Sequence, residues 1–264
     1  MTRRIRRHKA FDLTLEIKDD DFIRTPHERQ RNWLLNRVIK ETSDELLAID
    51  GIAGGLIAGG DPLEFGEREN TEISAQDIME DWQIPIMQAM CDLVCQPGLS
   101  VLEVGFGRGV ASSMIQAAGA GSHTVIECNS RVIETYYRPW RAQHPDRDIQ
   151  MIEGLWQNVI DQLQTYDGIF FHTYPLNEDD YQENVAQSVT FAGHFFATAA
   201  RHLKPGGAFT YLTNERDSLS RGHQRLLLSL FSSFSTSLVD DLDIPQTSRD
   251  SHWSNQMIVV RAVK

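Results

Sequence analysis

The chain has 264 residues, of which 41% are hydrophobic and 23% charged, and its formal net charge at neutral pH is −12. This composition is typical of a globular protein with a sizeable core. The negative charge argues against a nucleic-acid partner, and we interpret the basic run at residues 3–9 as a solvated tail. No segment approaches the roughly 18 apolar residues of a membrane span, and no secretory signal follows the basic run, so we expect no membrane partner.

The number and spacing of the cysteines and histidines indicate whether the chain can bind a metal and in which compartment it is found. The chain has three cysteines, Cys91, Cys95 and Cys128, and nine histidines, and none of them shows the spacing of a zinc site. We therefore predict no metal. So few cysteines are typical of a reducing compartment, and we expect a cytoplasmic protein.

Residues 1–75 are predicted to form an N-terminal helical extension. A capping box at Thr25–Glu28 precedes an amphipathic helical pattern that continues to Gly51. Glycine pairs and Pro62 then interrupt the pattern. Three roles stay open for this extension: it joins two copies into a homodimer through its helices, covers the active site, or packs on the following domain.

Residues 76–264 are predicted to form an α/β domain. A helix is expected from Asp77 to Cys95, kinked or split by Pro85, and it leads to a buried strand at Ser100–Val104. Strands then alternate with helices, which is typical of a mostly parallel sheet with helices on both faces. Six more strands are predicted, at 122–127, 149–152, 168–172, 208–213, 236–244 and 256–263, with helices at 110–118, 130–142, 179–202 and 222–232. The last two strands are expected to form an antiparallel edge.

Three glycines at alternate positions, Gly105, Gly107 and Gly109, follow the first buried strand. A strand, a glycine turn and a helix N terminus bring backbone close to a bound ligand. The third glycine comes one residue earlier than in the dinucleotide fingerprint, and Glu103 precedes the turn. This pattern resembles the S-adenosylmethionine (SAM) loop of Rossmann-like methyltransferases, and Glu127, at the end of the next strand, suits the ribose hydroxyls. A turn that merely packs a strand against a helix is the alternative.

Six sequence blocks make the resemblance more specific. They are Met79–Met87, Val101–Gly107, Ile126–Asn129, Glu153–Trp156, Thr173–Leu176 and Leu203–Gly207, and Gln256–Ile258 is similar to a final strand. In order and spacing these blocks resemble the guanidinoacetate N-methyltransferase family over residues 76–264. The resemblance implies a Rossmann-like, seven-stranded methyltransferase sheet, with SAM as the cofactor and S-adenosylhomocysteine as the product.

The resemblance also implies which residues hold SAM. Glu127 would take the ribose hydroxyls. The methionine part would contact Glu103, Gly105, Phe106 and Gly107, the adenine would contact Cys128, Gly154, Leu155 and Trp156, and Met87 and Gly109 complete the set. An aromatic residue after a strand is also typical of a core, so a packing role for Trp156 stays open.

Two departures from the family change the expected methyl acceptor. The family has a carboxylate after the tryptophan of the first block and another before the Thr-Tyr-Pro-Leu block, and both hold the substrate guanidinium. This chain has Gln83 and His172 at those positions. A guanidinium is a permanent cation that needs an offsetting charge when it leaves water, so guanidinoacetate is not the expected substrate. Trp82 and Tyr174 are predicted to line the same pocket.

His172 is the candidate catalytic residue, because an imidazole can act as a general base near neutral pH. A histidine that only holds a loop is the alternative. The turn after Tyr211, where the family receives the substrate carboxylate, contains the predicted acceptor-binding residues Thr213, Asn214 and Arg216. Arg216 either pairs with a carboxylate or belongs to a solvated charged turn.

These observations predict a SAM-dependent methyltransferase of specialised metabolism that methylates a small molecule, a neutral amine or a nitrogen heterocycle. O- or C-methylation of a carboxylate, hydroxyl or aromatic carbon is one alternative, and a non-catalytic SAM-binding module is another. An arginine substrate in a protein meets the same missing carboxylates. Glu80 and Asp81 nevertheless remain near the pocket, so a cationic acceptor is disfavoured rather than ruled out.

Overall fold

The computed structural model describes residues 2–4, 16–18, 78–175, 180, 184, 188, 190–213, 215, 218–245 and 255–264. The chain forms two compact units, Met1–Glu64 and Phe65–Lys264. The described residues of the first unit are two antiparallel strands, β1 (Thr2–Arg4) and β2 (Glu16–Lys18). Part of the basic run predicted to be a solvated tail is therefore a paired strand. The predicted helices of the extension lie outside the described residues, and its boundary at residue 75 stays a prediction.

The second unit contains a seven-stranded sheet in its described residues. Its strands are β3 (Ser100–Val104), β4 (Ser122–Glu127), β5 (Ile149–Glu153), β6 (Tyr166–Phe171), β7 (Leu203–Thr213), β8 (Ser233–Val239) and β9 (Met257–Val263). Their spatial order is β5-β4-β3-β6-β7-β9-β8. The strands from β3 to β7 pair in parallel, whereas β9 is antiparallel to both of its neighbours. The predicted sheet and its antiparallel edge are confirmed.

Helices connect the strands. They are α1 (Ile84–Val94), α2 (Val110–Ala117), α3 (Ser130–Val132), α4 (Arg138–Ala142), α5 (Trp156–Val159), α6 (Phe196–His202) and α7 (Arg221–Leu230). A π-helical turn at Ile133–Tyr137 joins α3 to α4, and 3₁₀ turns occupy Asp81–Gln83, Ile160–Gln162 and Phe191–Phe195. Within the described part of the chain, each helix is too short or too polar to cross a membrane.

Pro85 begins a helix instead of bending one. It lies in the first turn of α1, where a missing N–H removes no helical hydrogen bond. The helix predicted from Asp77 to Cys95 is therefore split into the 3₁₀ turn at Asp81–Gln83 and α1. Within the helix predicted at 179–202, Asp180 and Asn184 are helical, and a 3₁₀ turn at Phe191–Phe195 precedes α6.

Both faces of the sheet carry a core, because neighbouring residues of a strand point to opposite faces. One face packs Phe171 and Phe209 against α6 and α7. The other face packs Val101 and Phe170 against α1 and α2. These two layers fix the carboxyl ends of the parallel strands, where the candidate site lies.

A polar network joins the amino ends of β3, β6 and β7. Lys204 donates hydrogen bonds to Asp167 Oδ2 (2.8 Å) and to Ser100 Oγ (2.9 Å). The backbone N–H and the hydroxyl of Ser100 donate to the same oxygen of Asp167, at 2.9 and 2.7 Å. Burial by itself would raise the pKa of Asp167, but the hydrogen bonds from Lys204 and Ser100 outweigh it and hold the pKa at about 2. The Lys-Pro-Gly-Gly block thus stabilises the sheet at the end opposite the glycine loop.

Candidate active site

The loop between β3 and α2 is shaped by glycines in the left-handed region. Gly105 has φ +93° and Gly109 has φ +79°. A Cβ at Gly105 would collide with the carbonyl oxygen of His172, and one at Gly109 would lie 2.7 Å from Cζ of Phe106. The backbone N–H of Ser113 donates to the carbonyl of Gly109 (3.0 Å), which starts α2. A side chain is thus excluded at Gly105 and at Gly109, which lets the loop pack closely against the backbone of His172 and the ring of Phe106.

Glu127 ties the glycine loop to the next strand. One of its carboxylate oxygens accepts the backbone N–H groups of Phe106 (2.9 Å) and Gly107 (3.4 Å). The other accepts those of Cys128 and Asn129, both at 2.9 Å. The carboxylate therefore joins the glycine loop, which the resemblance assigns to the methionine part, to the loop after β4, which it assigns to the adenine. Its own contact with the ribose hydroxyls stays a prediction.

Glu103 lies beneath α2 and is completely buried. Its Oε2 accepts a hydrogen bond from the hydroxyl of Ser112 and lies 2.9 Å from Nε2 of His123. Its Oε1 is also buried, and it has no hydrogen-bond partner among the described residues. Sequence reasoning found Glu103 but missed Ser112 and His123, because neither belongs to a motif.

Two other predicted cofactor residues have side chains in the core. The ring of Phe106 contacts those of Tyr137 and Trp140 edge-on, with centroids 5.2 and 5.4 Å apart. Met87 of α1 is buried between that helix and the sheet. Because its ring is in the core, Phe106 can contact the cofactor only through its backbone. The contact predicted for Met87 stays a prediction.

The predicted adenine end lies beyond β4 and β5. Cys128 is exposed, but desolvation of its thiol and the neighbouring charge of Glu127 raise its pKa to about 11. Gly154 donates its N–H to the carbonyl of Glu127 (2.9 Å), and Leu155 is the N-cap of α5. The half-buried ring of Trp156 contacts Phe195 and His194, with centroids 4.9 and 5.4 Å apart. These two contacts support the packing role that the sequence left open for Trp156.

Three predicted acceptor-side residues come together although they are far apart in the sequence. Gln83 is 4% exposed, and its amide N and O atoms lie 2.8 and 3.1 Å from the hydroxyl of Tyr174. The ring of Tyr174 lies 5.8 Å from that of His172, at 78° to it. Gln83 precedes α1 while the other two follow β6, so folding alone brings them to one place.

His172 lies directly against the glycine loop. Its backbone N–H donates to the carbonyl of Val104 (3.2 Å). Its carbonyl oxygen lies where a Cβ on Gly105 would have to be. The side chain is half-buried, and burial lowers the pKa of His172 to about 4, against the opposing effect of a backbone hydrogen bond. The imidazole is therefore neutral at neutral pH and can accept a proton.

Of the remaining residues predicted to bind the acceptor, two are described by the structure and two are not. Trp82 is buried, and its indole N–H donates to Glu80 at 2.5 Å. Thr213 ends β7, is 1% exposed, and accepts the backbone N–H of Glu215 (3.3 Å). Asn214 and Arg216 lie outside the described residues, so their contacts with an acceptor stay predictions.

Glu215 is held by buried groups, so the interpretation as a solvated charged turn is wrong for this residue, while Arg216 and Asp217 lie outside the described residues. Its Oε2 lies 2.7 Å from Nδ1 of the fully buried His223, and its Oε1 accepts the backbone N–H of Ser220 (2.9 Å). Tyr211 lies 2.5 Å from the other ring nitrogen of His223. This chain of contacts could not be predicted from the sequence, because His223 lies in a helix without a motif.

An open cleft of about 820 Å³ has Arg108 of the glycine loop in its wall. Its lining consists of Met79, Glu80, Asp81, Trp82, Pro85, Arg108, Tyr136, Asp241, Leu242, Asp243 and Pro245. Asp81 is paired with Arg108 at 2.9 Å. The cleft is thus mainly acidic and aromatic. Through the segment from Trp82 to Gln83 it adjoins the cluster of Gln83, His172 and Tyr174, which we call the neutral trio.

The donors and spaces of this site fit SAM. The glycine loop has no room for a Cβ at Gly105, and Oε1 of Glu103 is buried without a hydrogen-bond partner among the described residues. Both features are compatible with a cofactor that has a cationic methionine part. In the part of the chain that the structure describes, no three His, Cys, Asp or Glu side chains are grouped as a metal site.

Comparison with known proteins agrees with this geometry. Residues 64–225 match the guanidinoacetate N-methyltransferase family. The chain is 26% identical over 163 residues to protein arginine N-methyltransferase 2 of Yarrowia lipolytica, covering 57% of this chain and 32% of that protein. It is 28% identical over 132 residues to the protein of the same name from Emericella nidulans, covering 48% of this chain and 30% of that one. The chain thus spans about a third of the length of these curated relatives.

Two solved structures are also similar. An O-methyltransferase from Bacillus cereus in complex with S-adenosylhomocysteine has a TM-score of 0.48 and 15% identity, covering 82% of this chain and 97% of that chain. A methyltransferase from Pyrococcus furiosus has a TM-score of 0.48 and 16% identity, covering 68% of this chain and 82% of that chain. The family match extends over more than half of the sequence. The chain therefore belongs to the guanidinoacetate N-methyltransferase family.

Proposed function

We propose that this enzyme N-methylates a small neutral molecule and not guanidinoacetate. The observation that carries the proposal is the contact of three neutral side chains, Gln83, His172 and Tyr174. The resemblance places Gln83 and His172 where the family has its two carboxylates. A buried neutral amide can donate and accept hydrogen bonds, but it cannot offset the desolvation of a guanidinium.

The chain's own residues orient the reactants. Bound SAM supplies an electrophilic methyl group for in-line displacement. The backbone around Gly105 and the carboxylates of Glu103 and Glu127 would hold the cofactor, and the Gln83–Tyr174 pair would hold the acceptor. Holding two reactants in line is worth up to roughly 7–11 kcal/mol, so positioning supplies most of the rate.

The environment of His172 favours a particular class of acceptor. A neutral imidazole with a pKa of about 4 is a weak base. General bases work best when their pKa lies near the operating pH. A base as weak as His172 can readily deprotonate only an acidic N–H cation, so it suits an acceptor whose methylated nitrogen is such a cation. Aromatic amines and weakly basic azaheterocycles have that property, whereas alkylamines do not. Proton removal by His172 would add roughly 10²–10⁴-fold to the rate.

The test is S-adenosylhomocysteine release from SAM with a panel of azaheterocycles, anilines, alkylamines, phenols and carboxylic acids beside guanidinoacetate. We expect turnover with a neutral nitrogen acceptor and a loss of 10²-fold or more in kcat for His172→Ala. The control variant is His144→Gln, which changes a histidine of the α4 region that contacts Trp140 and is expected to leave kcat unchanged. Turnover restricted to phenols or carboxylic acids would contradict N-methylation, and SAM binding without any turnover would favour a non-catalytic module.

A second candidate acceptor is an arginine side chain in a protein. The acidic and aromatic cleft is the observation that favours it, because Glu80, Asp241 and Asp243 could offset a cationic peptide. The relatives of Yarrowia and Emericella are named protein arginine N-methyltransferases. Methylation of an arginine-rich peptide that is lost in a Glu80→Gln/Asp243→Asn variant would support this candidate over the neutral acceptor.

The setting of the reaction is also a proposal. The composition and the few cysteines support a cytoplasmic enzyme without nucleic-acid or membrane partners. The loss of both substrate carboxylates supports a place in specialised metabolism. A homodimer formed through residues 1–75 is tested by comparing the sedimentation of the full chain with that of a variant lacking them.

A further inference from the structure

Arg108 lies between two glycines of the glycine loop, and its side chain reaches out of that loop. Gly107 and Gly109 have φ values of +55° and +79°, so the backbone turns sharply on either side of the arginine. The side chain is 34% exposed, and its contacts are with residues that stand 27 and 29 positions earlier in the sequence. Arg108 therefore joins the glycine loop to the segment that precedes α1.

The guanidinium of Arg108 makes two hydrogen bonds to that segment. Its Nη1 donates to the carbonyl oxygen of Met79 (3.1 Å) and to Oδ1 of Asp81 (2.9 Å). Both bonds can form at once, because Nη1 carries two N–H groups. Asp81 is largely exposed, so the ion pair alone contributes little. The bond to Met79 adds a charged donor to a backbone carbonyl of a buried residue, which is a stronger and more directed contact.

The segment Met79–Gln83, which we call the clamped segment, ends at the neutral trio. The amide of Gln83 lies 2.8 and 3.1 Å from the hydroxyl of Tyr174, whose ring contacts that of His172. His172 in turn donates its backbone N–H to the carbonyl of Val104, at the end of β3. The contacts thus form a closed ring. It runs from the glycine loop through Arg108 and the clamped segment to the trio, and back to the strand that leads into the loop.

This ring connects the cofactor side of the site to the acceptor side. We propose that Arg108 is a positioning residue that couples the two: it holds the clamped segment on the glycine loop, so that a ligand in the loop also fixes Gln83. Coupling of this kind needs a contact that one ligand can strengthen, and Arg108 supplies it because it belongs to the loop itself. The inference rests on the proposed function, in which the loop holds the cofactor and Gln83 holds the acceptor.

The test is hydrogen–deuterium exchange of the full-length protein, measured by mass spectrometry with and without saturating S-adenosylhomocysteine. The reporting amides are those of Gln83 and Ile84, which donate to the carbonyls of Glu80 and Asp81. In the unchanged protein the ligand should slow their exchange. In Arg108→Met their exchange should be about tenfold faster, because losing a charged hydrogen bond shifts a local opening equilibrium by about that factor. The ligand should no longer slow it. Arg108→Lys keeps a charged donor and should stay within about threefold of the unchanged protein.

The matched control is Arg201→Met. Arg201 is also a partly exposed arginine and lies 3.9 Å from Asp161, but it stands two residues before β7, at the opposite end of the sheet. This variant should leave exchange in the clamped segment unchanged. Protection by the ligand that survives in Arg108→Met would overturn the proposal, and so would an equal loss of protection in Arg201→Met. If Arg108→Met does not bind the ligand, Asp81→Ala decides, because it leaves the loop sequence intact. It should reduce the protection about threefold, and full protection in that variant would overturn the proposal.

Calorimetric titration with S-adenosylhomocysteine and the acceptor panel separate this proposal from the proposed function. Binding of the ligand to the unchanged protein without protection of the clamped segment would refute the coupling alone. No binding at all would refute both. With the panel acceptor that is turned over fastest, Arg108→Met should raise KM at least about fivefold and change kcat less than about twofold, and a lower kcat at an unchanged KM would contradict the coupling. If no panel acceptor is turned over, the proposed function fails, whereas the exchange measurement still decides whether Arg108 couples the two sides.

Discussion

Replacing Gly105 by alanine tests the construction of the cofactor cradle. The new Cβ would collide with the carbonyl oxygen of His172 and lie 3.3 Å from Cβ of Thr173, at a backbone φ of +93°. A positive φ costs an alanine about 1 kcal/mol, and the collision with a fixed carbonyl adds about 2 kcal/mol of overpacking strain. For a unit of about 200 residues, a loss of about 3 kcal/mol corresponds to a melting temperature lower by roughly 6–12 °C.

The matched control for this substitution is Gly98→Ala. Gly98 has a φ of +82°, but an added Cβ would meet nothing within 4 Å. We expect only the backbone term there, about 1 kcal/mol or roughly 2–4 °C. Differential scanning calorimetry gives both values, and titration with SAM should show a loss of at least about tenfold for Gly105→Ala alone. Equal destabilisation by the two variants, or normal SAM binding by Gly105→Ala, would refute the reasoning.

Three further predictions concern titratable groups. The pKa of Asp167 is lowered from 3.8 to about 2, so the ionised carboxylate stabilises the fold above pH 3.8, and this contribution is lost as the pH falls toward 2. Lys204→Met should lower the free energy of unfolding by about 1 kcal/mol above pH 3.8, measured by urea unfolding at several pH values. Because the pKa of His172 is lowered from 6.5 to about 4, kcat should hold constant from pH 8 to about pH 5, and a decline centred near 6.5 would contradict its assignment as base. With a pKa of about 11, Cys128 should react with iodoacetamide slowly at pH 7 and faster as the pH rises, and SAM should protect it.

The fold was largely predictable, because its signals are local. The alternation of apolar strands with amphipathic helices predicted each strand of the sheet, and the turn residues marked most ends. Pro85 was predicted to kink or split its helix, and the structure shows the split, because proline in a first turn starts a helix. Which of the two applies depends on whether the preceding residues pack as helix, and that is a tertiary property.

The site was predictable only where a motif marks it. The glycines and Glu127 could be found from spacing, and the positions of Gln83 and His172 from the resemblance. The partners His123 and His223 could not be found, because each acts through residues that are distant in sequence or lie on a neighbouring strand or helix. Glu215 illustrates the difference, since a charged turn in the sequence is in fact bound to a buried histidine.

The most direct test of the neutral acceptor pocket is a competition between guanidinoacetate and the best neutral acceptor of the panel. Both are supplied with SAM in one reaction, and the methylated products are separated by mass spectrometry. We predict product from the neutral acceptor only, and guanidinoacetate methylation only after Gln83→Glu and His172→Asp are combined to restore both carboxylates. Methylation of guanidinoacetate by the unchanged protein would contradict the account, because other acids would then have to bind the guanidinium.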